Sequence, residues 1–119
     1  MSRFLTDLEV RLVSESKGRW ALTTPLRYES DVLGVIGVPT GFETDFASVP
    51  RAPLVYSLLG DTAHAAATVH DFLYATGGVT RAEADYVLRE AALASGVSPL
   101  RAWAMWVAVR LFGFTRWNK

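Results

Sequence analysis

The hydrophobic period of this chain changes once, near Pro50, and that change limits the fold more than any other feature. Before Pro50, Leu8 to Ser14 ("LEVRLVS") alternates with period two, as a half-buried strand does. Gly18 in "SKGR" supplies a turn, and "WALTTPLRYES" reads as the return strand, interrupted at Pro25. "VLGVIGVP" is β-branched, with two glycines that suggest a bulge or tight bend. Beyond Pro50 the signals are helical. "APLVYSLLG" reads as a short helix closed by Gly60. A second helix opens at Asp61 as N-cap and closes at Gly77-Gly78. "TRAE" (Thr80 to Glu83) is a capping box that launches a helix to about Ser95. Ser98 caps a last helix with Pro99 at its first position, running to about Phe112.

Strands followed by helices predict an α+β fold. The expected architecture is a small N-terminal antiparallel sheet of three or four strands over residues 1–49, then three to four packed helices over residues 50–119. With 119 residues and no repeat or linker, one domain is expected.

Composition excludes several classes of function. Formal net charge is zero, so the charge excess of a phosphate-tracking face is missing and no strong nucleic-acid signal exists. There is no Cys, which removes disulfides, thiolate catalysis and Cys-based zinc sites. "MSRFLTDLEVRL" carries charges where a signal peptide needs an apolar core, so no signal peptide is read there. The greasy run Ala102 to Val109, stopped by Arg110, is too short to span a bilayer, so the chain is not read as transmembrane.

Polar candidates fall on three elements. In "GFETDFASVPR" (Gly41 to Arg51), Ser48 is a good helix cap before Pro50, whereas Asp45 lies too early for a simple cap. Thr44 can end a strand and aim Asp45 into a cleft, with Arg51 pairing it or facing an anionic ligand. In "HDFLY", His70 and Tyr74 share one helix face, and Asp71 is rotated by about 100°. His70 reads either as a core-edge histidine or as a ligand or base. Arg81, Asp85 and Arg89 have i, i+4, i+8 spacing, the pattern of a solvated salt-bridge stripe. Asp85 also borders the apolar row Ala84, Val87, Leu88, Ala91 and has the reach to meet a neighbouring helix. His64 reads as a surface residue. No H-E-x-x-H pattern occurs, so a metal site would need carboxylates. The last helix carries Trp103, Trp106, Val107, Arg110 and Phe114 on one side, and Leu100, Ala104, Ala108 and Leu111 in a second row. Such a helix is either central to the core or turns its far side to a partner.

"FETDFASVPR", "HDFLY", "RAEADYVL" and "AVRLFG", in that order, resemble a family of small proteins of unknown function from bacteriophages and prophages. The resemblance spans about Phe42 to Gly113. It implies a phage-related origin and singles out Thr44, Asp45, Ser48, Arg51, His70, Asp71, Tyr74 and Asp85. It carries no established activity. Two readings follow. In the first, a small hydrolase uses a His/Asp site. Asp45, His70, Asp71 and Asp85 are the ligand candidates for a divalent metal; alternatively His70 is a general base oriented by an Asp, with Ser48 as nucleophile. In the second, the polar cluster is structural, and Trp103 and Trp106 on the last helix bind a phage structural or host protein, in the host cytoplasm or the virion. Exposure of the cluster discriminates the two. With the resemblance counted, Ser48 is expected mainly to cap, and Asp45 to be half of a site completed by His70 and Asp71.

Overall fold

The computed structural model describes residues 2–16, 18–44, 64–115 and 117. Asp45, Ser48, Arg51, the short helix expected after Pro50 and the Asp61 cap lie outside them. The elements run β1 (Arg3–Phe4), β2 (Val10–Ser14), β3 (Arg19–Leu22), β4 (Leu26–Ser30), β5 (Gly34–Val38), β6 (Glu43–Thr44), then α1 (His64–Thr76), α2 (Arg81–Ala94) and α3 (Pro99–Phe112). A single 3-10 turn, Gly113–Thr115, follows. The fold is α+β, as the change of period predicts.

The strands divide into two antiparallel sheets of three, ordered β1-β4-β5 and β2-β3-β6, where one sheet was expected. Pro25 is the reason. It cannot donate to a ladder, and the stretch read as one interrupted return strand crosses there from the second sheet (β3) into the first (β4). The β4–β5 hairpin is in register at Tyr28↔Ile36 and closes at Ser30↔Gly34. Ser30 Oγ accepts from the backbone N–H groups of Val32 and Leu33, which fixes the turn between the strands.

The helix signals hold closely. Thr80 Oγ1 accepts from Glu83 N–H at 3.0 Å, and Glu83 Oε1 accepts from Thr80 N–H at 2.8 Å. Ser98 Oγ accepts from Arg101 N–H at 3.3 Å, with Pro99 in the first turn. Gly77 and Gly78 have φ of 68° and 83°, a left-handed pair that a side chain would strain, and they reverse the chain between α1 and α2. Thr80→Ala is expected to cost about 1 kcal/mol by loss of the cap, read as a lower urea midpoint with an unchanged slope.

Helix α2 is central. It packs against α1 on one side, α3 on the other, and strands β1 and β4. Its apolar row Ala84, Val87, Leu88, Ala91 is fully buried. Leu22, Leu26, Tyr28 and Val38 from the sheets, and Val69, Leu73, Met105 and Val109 from the flanking helices, complete the same core. Each large side chain so buried contributes roughly 1.5–3 kcal/mol. The hydroxyl of Tyr28 donates to Glu90 Oε1 at 2.7 Å, and Asp31 N–H donates to Glu90 Oε2 at 3.2 Å. This pins the β4–β5 hairpin to α2. Burial, then the Glu90 carboxylate beside it, keeps the Tyr28 hydroxyl protonated well above the usual tyrosine range.

Candidate functional site

Asp85 is the centre of the polar cluster. Its position at the border of the apolar row turns it inward, and its side chain is 0% exposed. The solvated Arg81-Asp85-Arg89 stripe is therefore corrected, because the α1 and α3 helices on either side close over that face of α2. His70 Nε2 lies 2.8 Å from Asp85 Oδ1 and the Tyr74 hydroxyl donates to the same oxygen. Arg110 Nη1 donates to Oδ2 at 2.9 Å, and Arg81 Nε lies 3.8 Å from it. One carboxylate thus ties α1, α2 and α3 together. An ionised carboxylate only accepts, so the proton between His70 and Asp85 sits on Nε2.

Arg81 adds a second tie. Its Nη2 donates to the carbonyls of Val109 and Arg110 at 2.8 and 2.7 Å, satisfying acceptors in the last turn of α3. Tyr74 is covered from the chain's end: Trp117 stands edge-on at 5.1 Å, and His70 packs on its ring at 4.2 Å.

Burial is the strongest influence on the Asp85 carboxyl and acts upward. The hydrogen bonds from His70, Tyr74 and Arg110 and the charge interaction with His70 together outweigh it, holding the group below the usual carboxylate range. Burial, then the hydrogen bond to Asp85, pushes the Tyr74 hydroxyl well above the usual tyrosine range, so it remains a donor. A depressed carboxyl contributes stability that is fully present above its unfolded value of 3.8 and is lost as pH falls through the lower folded value. The urea midpoint of the protein is therefore expected to drop on acidification below about pH 4, and Asp85→Asn to lack that share of the drop.

One buried polar atom stands apart. His70 Nδ1 has no hydrogen-bond partner among the described residues, although the ring is 0% exposed. The Asp85–His70 pair thus has the order of a dyad, with one ring nitrogen held by a carboxylate and the other uncommitted.

Of the other expected site residues, Thr44 ends β6 and is buried, at 1% exposure. Asp71 lies half-buried beside His70 in α1, about 100° round the helix axis from it. The carboxylate that meets His70 is Asp85. Among the described residues no group of three or more His, Asp or Glu could hold a metal ion. His64 is exposed, as expected. Arg81, Arg110 and Gly113 were not singled out as site residues. Only the i, i+4 spacing of Arg81 and Asp85 gave a local hint.

Trp103 is 49% exposed and Trp106 partly buried. Only Ala102, Met105, Ala108 and Val109 of α3 are buried. Leu100, Trp103, Val107 and Leu111 fall at i, i+3, i+7 and i+11 on the opposite side, with Leu100 at 74% and Leu111 at 60% exposed. Phe112 and Phe114 are also exposed, at 54% and 62%. The helix is therefore not wholly core. No helix among the described residues is long and apolar enough to cross a membrane.

Two sheets and three helices among the described residues, tied by a buried His-Asp-Tyr-Arg cluster, define an α+β class. The chain belongs to the family described as "Protein of unknown function (DUF1353)", whose profile matches residues 20–109. No curated protein and no solved structure gives a significant match.

Proposed function

We propose that this chain is a non-enzymatic, phage-related accessory protein that docks on a phage structural or host protein through the apolar stripe of α3, in the host cytoplasm or in the virion. The phage setting rests on the motif resemblance. The observation that carries the docking role is the contrast in exposure. His70 and Asp85 are sealed at 0%, while Leu100, Trp103 and Leu111 lie open on the helix that Asp85 anchors through Arg110. A sealed ion cluster favours architecture over turnover, and a contiguous apolar stripe marks an interaction surface. The fitting partner is thus a protein with an apolar groove that takes this stripe.

Photo-crosslinking amino acids at positions 103 and 111, introduced in cells carrying the phage or prophage, test this. A discrete protein adduct from both positions, absent from a probe at exposed position 12 and lost with Leu100→Glu, is expected. No adduct, or equal labelling from all three positions, would overturn the docking role.

A second reading has one observation in its favour. The uncommitted Nδ1 of His70, with Asp85 on Nε2, is the arrangement of a general base awaiting a proton donor. In its metal form Asp45 joins His70. Chelator-treated protein titrated with zinc, manganese, magnesium and calcium then shows a melting temperature that rises by several degrees and no longer does so in Asp45→Asn. The docking role expects no response to any of these ions.

A further inference from the structure

We infer that β5 is the pairing edge for a second copy of this chain, forming a two-fold symmetric dimer with one continuous six-stranded sheet. Strand β5 ends the β1-β4-β5 sheet. In an antiparallel strand alternate residues direct their N–H and C=O groups away from the existing neighbour. Beyond the β4 ladder, residues 34–38 make no further hydrogen bond among the described residues.

The other sheet edges are blunted in ways that β5 is not. Strands β1 and β6 have two residues each. Strand β2 carries Arg11 and an irregularity between Leu12 and Ser14. Strand β5, "GVIGV", has five residues and no charge, proline or bulge. Zero formal net charge adds no long-range repulsion between copies.

The strand is also complementary to itself. Full antiparallel overlap of Gly34–Val38 with its symmetry mate sets Ile36 opposite Ile36, and Val35 opposite Gly37. Val35 is 60% exposed, and a Cβ built on Gly37 meets nothing within 4 Å. The protruding Val35 of each copy therefore enters the space over Gly37 of the other. The two Val35 side chains become diagonal neighbours across the axis, within reach of each other.

Sedimentation equilibrium from about 10 µM to about 1 mM tests this, a range that reads weak to moderate dimers. The parent is expected to dimerise. Val35→Lys is expected to be monomeric, because two diagonal ammonium groups replace an apolar contact. Gly37→Lys is expected to do the same from the opposite position, while fitting the open space in the monomer. Circular dichroism confirms that each variant is folded. Val13→Lys, on the other sheet, and Trp103→Glu, on the α3 stripe, are expected to dimerise like the parent. A parent that stays monomeric throughout, a folded Val35→Lys that pairs as well as the parent, or loss of the dimer in Trp103→Glu alone would overturn the β5 assignment.

Discussion

Replacing Asp85 by alanine is expected to lower unfolding stability by about 3–5 kcal/mol, the usual cost of removing one partner from a buried ion cluster. A domain of this size has about 5–15 kcal/mol in total, so the variant stands near the edge of folding at ambient temperature. The loss has three parts. His70 Nε2–H and the Tyr74 hydroxyl are left as buried donors without an acceptor, each a desolvated polar group. Arg110 loses its carboxylate, a smaller share because its side chain is 35% exposed and partly screened by solvent. The volume of the carboxylate becomes a void between three helices. Urea unfolding followed by tryptophan fluorescence measures the change. A carboxylate kept for chemistry at a cost to stability gives the opposite sign, since replacing such a group commonly leaves a protein as stable or more so.

Gly113→Ala is expected to cost about 1–3 kcal/mol, a large effect for one methyl group placed after the end of a helix. Gly113 has φ of −65°, so the backbone itself would accept any residue. The constraint is steric: an added Cβ would lie 2.5 Å from the Tyr74 hydroxyl oxygen. That oxygen cannot withdraw without weakening its bond to Asp85 and its contact with Arg81 Nε at 3.4 Å. Tyr74→Phe removes the atom that clashes. In the double variant the two losses are therefore expected to sum to less than their separate values, by about 0.5–3 kcal/mol. Strict additivity would mean that the end of α3 moves aside and that the Tyr74–Asp85 bond is not held by the closure of the chain over it.

The parts of the fold that were legible in the sequence are those set by local chemistry. The Thr80–Glu83 capping box, the Ser98-Pro99 start and the Gly77-Gly78 link act within a few residues, and each operates as read. The change of period near Pro50 separated strands from helices for the same reason. What was not legible depends on partners far away in sequence. Pro25 marked a break, but a break alone does not say that β3 and β4 join different sheets. Tyr28 and Glu90, 62 residues apart, gave no local sign of their bond. Asp85 looked solvated because its i±4 neighbours are arginines. Its burial follows from α1 and α3 closing over α2, which no helical wheel of α2 contains. The apolar last helix reads as core or docking surface, and the structure divides it: Ala102, Met105, Ala108 and Val109 face inward, and the Leu100-Trp103-Leu111 side lies open.

The central claim is that a carboxylate on α2 holds α3 in place so that its outer face can be presented. A double-mutant cycle between Asp85→Asn and Arg110→Met, read by urea unfolding at neutral pH, tests it most directly. A coupling of about 1–3 kcal/mol is expected, because the pair lies 2.9 Å apart with the carboxylate fully buried. Additivity within about 0.5 kcal/mol, with Asp85→Asn as stable as the parent, would contradict it and return the cluster to the chemistry of a His-Asp dyad.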